Sequence, residues 1–181
     1  CRSPMAAALA AEMLATRGVA AQVASCGVQQ SGEPAVRHAE TEMARRGLDL
    51  SSHRSQQIDA SILGWADLAL TMERSHLIAL AEIDMSAVGR SFALRELARI
   101  APLVGQRPAD EPIAGWVDLA DRMRSPSNVL ALATADDVPD PLGGSRRAFH
   151  RAASEIESLL AVVFDHLFTP TGAEDTEDDP S

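Results

Sequence analysis

The chain has no tyrosine, 3% aromatic residues and two cysteines in 181 positions. With so few rings and no basic excess, it lacks the stacking platforms and positive stripe that nucleic-acid binding requires, and no nucleic-acid partner is expected. Cys1 and Cys26 supply neither a disulfide framework nor a cysteine-rich zinc site. No His, Cys or Asp cluster stands at ligand spacing, so neither metal nor cofactor is expected. A reducing cytoplasm suits that cysteine usage. No apolar run is long enough to span a bilayer, and no membrane partner is expected. What is present is 46% hydrophobic residues, enough for one sizeable core and too little chain for two ordinary domains. The net charge is −10, but the last ten residues hold five of the 26 acids and no base, which leaves the body 21 acids against 16 bases. The expected organisation is one domain over residues 1–170 and a disordered acidic tail over 171–181.

Apolar spacing supplies the elements. In "CRSPMAAALAAEMLATRG", Ser3 suits a helix cap, Pro4 its first position and Gly18 its end, while Met5, Leu9 and Met13 form a buried stripe. "AAQVASCG" suits a short strand, "EPAVRHAETEMARRG" a second helix, and the residues after Asp59 a short third. "ADLALTM" reads as a strand and "RSHLIALAEI" as a helix. "GRSFAL" reads as a further strand, and "LRELARIAPLVG" and "EPIAGWVDLADRMRS" as helices. "DDVPDPLGGS" is a loop by its proline and glycine content. Phe149, Ile156, Leu159, Leu160, Val163 and Leu167 recur at helical spacing in a long final helix. Short strands alternating with helices predict an α/β fold, an open parallel sheet with helices on both faces. Two or three modest strands are few for such a sheet, and a strand running into Cys1 would complete it.

Three stretches can carry chemistry. In "CRSP", Arg2 sits where the unpaired N–H groups of a helix start converge, and its planar fork suits an oxyanion; a surface arginine before a capped helix is the alternative. In "VPDPLGG", flanking prolines restrict where Asp140 points, which suits an acid that meets a leaving group; a plain turn is the alternative. His53 in "SSHRSQQI" reads as a satisfied loop histidine and Cys26 as a small buried residue, and both tryptophans, Trp65 and Trp116, as packing residues.

Taken in order, "CRSPM" (1–5), "SCG" (25–27), "HRSQQ" (53–57), "LTMERSH" (70–76) and "DVPDPLGG" (137–144) resemble the low-molecular-weight protein tyrosine phosphatases and their arsenate reductase relatives. That family carries C-x-G-N-x-C-R-S-P, an S-x-G strand end, H-R-x-x-Q and a late D-P loop. The resemblance implies hydrolysis of a phosphate monoester, on a phosphorylated protein or a small ester, through a phosphocysteine. Arg2 is then the loop arginine, Asp140 the general acid, and Cys1 and Ser3 support the phosphate loop. The nucleophile falls five residues ahead of Cys1, and no C-x5-R stands in these 181 residues. The expectation is a chain cut inside that loop, inactive as it stands, whose parent is an enzyme. An arsenate reductase using a small thiol, or a non-catalytic phosphate-binding module, are the other readings. Leu142 stands where the family commonly has tyrosine, and Gln56 where it often has arginine, which leaves the substrate open.

Overall fold

The computed structural model describes residues 1–28, 32–124 and 134–168. Helix α1 (Arg2–Thr16) leads to α2 (Arg37–Ala44) and the single-turn α3 (Ala60–Trp65), which Asp59 caps by accepting from the Ile62 N–H at 2.9 Å. Strand β1 (Ala69–Thr71) follows, then α4 (Arg74–Ile83) and a 3-10 turn over Met85–Arg90, before β2 (Ser91–Ala93). Helices α5 (Leu94–Val104) and α6 (Ile113–Arg122), a 3-10 turn at Thr134–Asp136 and α7 (Arg146–Leu167) complete the order. The two strands pair in parallel, Leu70 opposite Phe92, and α4 with its following turn makes the crossover that parallel neighbours need.

Alternation along the first strand sorts the layers. Leu68, Leu70 and Met72 turn toward the main core with α1, α5 and α7. Ala69 turns the other way, into a small cluster of Leu63, Leu80 and Ala87 from α3, α4 and the 85–90 turn. Helices therefore cover both faces of a parallel sheet, as the sequence pattern predicts. The long α7 closes the main core with Ile156, Leu160 and Val163, each at most 1% exposed, and each such burial contributes about 1.5–3 kcal/mol.

Three sequence expectations are corrected. Helix α1 begins at Arg2 with Cys1 as its cap residue, so Ser3 lies within the first turn and is not the cap. Pro4 is tolerated there because first-turn N–H groups have no partner within the helix. The "AAQVASCG" stretch forms no strand and makes only an isolated parallel bridge, Gly27 to Gln57. A cavity of about 530 Å³, lined by residues 19–28 on one side and by β1, α1 and the end of α7 on others, separates it from the strand it would have joined. Trp116 is buried at 2% exposed, but Trp65 is half exposed, because Leu63 takes the inward position of its one-turn helix. The expected tail, 171–181, lies outside the described residues.

Candidate active site

The first turn of α1 and the loop before α7 meet across 138 residues of chain. Arg2 is 7% exposed. Its guanidinium donates to the Val138 carbonyl and to Glu73 Oε1, and reaches Asp140 Oδ2 at 3.3 Å. A buried cation demands such partners, since an unpaired one costs several kcal/mol. Asp140 remains part-exposed, and its other oxygen accepts from the Leu142 N–H at 3.0 Å. A tight turn follows, with the Gly144 N–H donating to the Pro141 carbonyl at 2.8 Å and Gly143 at φ 75°. That positive φ at the third turn position is what glycine supplies.

The end of β1 organises both poles. The Met72 carbonyl accepts from the Val138 N–H at 2.8 Å, so the acid-bearing segment runs along the strand end. Glu73, the next residue, holds Arg2. The hydrogen bond from Arg2 is the main reason its carboxyl lies below the usual range, and it outweighs the opposing effect of burial. Ser75 Oγ donates to its second oxygen at 3.1 Å. Arg74 then donates its backbone N–H to Asp137 Oδ1 at 2.8 Å.

The structure thus brings Arg2 and Asp140 together. Cys1 is half-buried against the main core, and Ser3 lines the cavity between α1 and residues 19–28. Cys26 stands apart on that cavity wall, where burial first and the Asp59 carboxylate second push its thiol above the ordinary value. Such a thiol is the reverse of an activated nucleophile. His53 is a half-buried loop residue whose imidazole is held below its usual value, chiefly by burial. Leu142 is well exposed beyond Asp140. Among the described residues no group of three His, Cys, Asp or Glu is placed to hold a metal ion, and no helix is long and apolar enough to cross a membrane. Sequence reasoning missed Glu73 and Arg74, although "LTMERSH" was among the ordered motifs; an acid directly after a strand end was the available signal.

The α/β fold thus sets a buried guanidinium at a helix N-terminus beside a loop carboxylate. Residues 1–99 match the family model described as low molecular weight phosphotyrosine protein phosphatase, and the chain belongs to that family. A probable low molecular weight protein-tyrosine-phosphatase, EpsP, of Ralstonia nicotianae is 38% identical over 97 residues, 54% of this chain and 65% of its own length. The chain therefore matches somewhat less than two thirds of that curated relative. A protein-arginine-phosphatase of Geobacillus stearothermophilus is 28% identical over 170 residues, 93% of this chain and 90% of its own. The solved YwlE arginine phosphatase from the same organism superposes with a TM-score of 0.64 at 26% identity, over 91% of this chain and 84% of that one. A low molecular weight protein tyrosine phosphatase from T. tengcongensis shares the fold, with a TM-score of 0.68 at 24% identity over 92% of each chain.

Proposed function

We propose that the full-length protein removes phosphoryl groups from proteins, as phosphate monoesters or as the phosphoramidate of arginine, through a phosphocysteine intermediate. The observation that carries this reading is the buried Arg2 guanidinium lying 3.3 Å from Asp140, a carboxylate contributed from 138 residues away. A phosphate dianion entering the site takes the place of Asp140 on the Arg2 fork, where charge-assisted hydrogen bonds contribute about 1.5–3 kcal/mol each. Displaced from Arg2, Asp140 faces the leaving group. The thiolate of the family's C-x5-R loop attacks phosphorus as the P–O bond of an ester or the P–N bond of a phosphoarginine breaks, and Asp140 delivers its proton to the departing oxygen or nitrogen. Water then attacks the phosphocysteine, Asp140 takes its proton, and the S–P bond breaks to release phosphate and restore the thiolate. Arg2 stabilises the equatorial oxygens in both transition states. Cys1 and Ser3 flank Arg2 as supports of the loop.

Two substrate classes fit. Phosphotyrosine follows from the matched family model. Phosphoarginine is favoured by the relative aligned along 93% of this chain, which is a protein-arginine-phosphatase, and by the aliphatic Leu142 beside the acid where an aromatic wall would suit a tyrosyl ring. The deciding assay gives the full-length protein phosphotyrosyl and phosphoarginyl peptides of the same sequence. Release of phosphate from either, lowered by about 10²–10⁴ in Asp140→Asn, supports the reading. No release from either, or arsenate-dependent thiol consumption in its place, overturns it.

A further inference from the structure

Behind the site lies a buried ion network that the proposed chemistry does not use. Arg74 is 4% exposed and Glu96 3%. The Arg74 guanidinium contacts Glu96 Oε1 at 2.8 Å and Asp136 Oδ2 at 3.1–3.2 Å, and Arg99 reaches the other oxygen of Asp136 at 3.0 Å. Arg124 closes the far side, 3.9 Å from Glu96 Oε2 and stacked 4.1 Å over the Phe92 ring. Buried ion pairs are weak evidence of stabilisation, because desolvation offsets most of the attraction, so their placement is the informative property.

That placement is specific. Arg74 grips two consecutive residues of the acid-bearing segment by two routes: its side chain holds Asp136, and its backbone N–H holds Asp137. Val138, the next residue, donates to Met72 and accepts from Arg2. Asp140 follows two residues on. From the same strand end, Glu73 holds Arg2. Residues 72–74 therefore act as a common template that fixes the acid relative to the phosphate-binding cation. Resting on the phosphatase reading, we propose that Arg74 is a positioning residue for Asp140: it sets the reach of the general acid without touching substrate. Its planar fork bridges Glu96 and Asp136 together, which the point charge of a lysine does not reproduce.

The role has a signature that a merely structural one lacks. Protonation matters when the leaving oxygen is basic and little when it is not, so misplacing Asp140 penalises phenyl phosphate and spares 2,4-dinitrophenyl phosphate. In the full-length protein, Arg74→Gln is expected to lower kcat/KM, which reports only the steps up to departure of the leaving group, at least about tenfold for phenyl phosphate, while kcat/KM for the dinitrophenyl ester and inhibition by inorganic phosphate move less than about threefold. Arg74→Lys does not restore the loss. Adding Arg74→Gln to Asp140→Asn costs little more on phenyl phosphate, because the acid it would misplace is already gone. Where Arg74→Gln alone fails to fold through the uncompensated Glu96, the paired Arg74→Gln, Glu96→Gln variant and the single Asp136→Asn carry the same test. Parallel losses on both esters, or no loss on either, overturn the positioning role while an active wild type keeps the phosphatase reading. A wild type that cleaves neither ester and neither phosphopeptide removes both.

Discussion

At Gly144 a side chain has no room: a Cβ there would stand 2.9 Å from the Pro141 carbonyl oxygen and 3.0 Å from the Ala148 methyl. The obstruction is backbone, which cannot swing aside. Gly144→Ala is expected to cost about 1–3 kcal/mol in a urea titration, and to lower turnover of phenyl phosphate because the distorted turn begins one residue after Asp140. Cys26 gives a second residue-scale expectation. With its thiol pushed up by burial and by Asp59, it alkylates more slowly at neutral pH than a free cysteine, and Asp59→Asn speeds the reaction; an equal rate in both removes that carboxylate as a cause. At this scale the sequence singled out Arg2 and Asp140 through the ordered motifs, since taken alone each reads as readily as an arginine before a capped helix or a plain turn. It did not reveal that Glu73 and Arg74 hold them, since those partners lie 71 and 62 or more residues away and meet only after folding.

Between elements, α2 and α7 are clamped by a compact ionic contact. Glu42, 5% exposed, accepts from Arg46 at 3.1 Å and meets His150 Nδ1 at 2.9 Å, and Arg46 also bonds Glu157 and Ser154 of α7. Burial alone would raise the Glu42 carboxyl, but hydrogen bonds from His150 and Arg46 outweigh it and leave the group below its ordinary 4.5. A lowered folded value means stability that is full above the unfolded value and lost as pH falls through the folded one. Thermal melts between about pH 6 and 3 should therefore show a decline that Glu42→Gln flattens, and an unchanged slope would remove the clamp from that role. On α7 itself, Ile156→Ala is expected to cost about 2–5 kcal/mol, since Ile156 is fully buried. Helices were the most legible elements: "RSHLIALAEI" coincides with α4, Arg74–Ile83, because 3.6-residue periodicity is written locally. Strands were less so. "AAQVASCG" has a strand's composition, but a strand exists only where a neighbour lies within hydrogen-bonding reach, and here a cavity intervenes.

For the molecule as a whole, the site is built from parts of the chain far apart in sequence. Arg2 on α1 and Asp140 ahead of α7 meet through Val138 and the end of β1, so no smaller unit of the structure contains both poles. Catalysis and global structure should then be lost in one transition. Activity on an aryl phosphate and the far-ultraviolet helical signal are expected to fall together along a guanidinium series; activity persisting into the unfolded baseline would show that the contact across the chain is dispensable. The same 138-residue separation has a bearing on synthesis. A ribosome makes the arginine long before the aspartate, so the contact between Arg2 and Asp140 closes only after the chain between them has been synthesised.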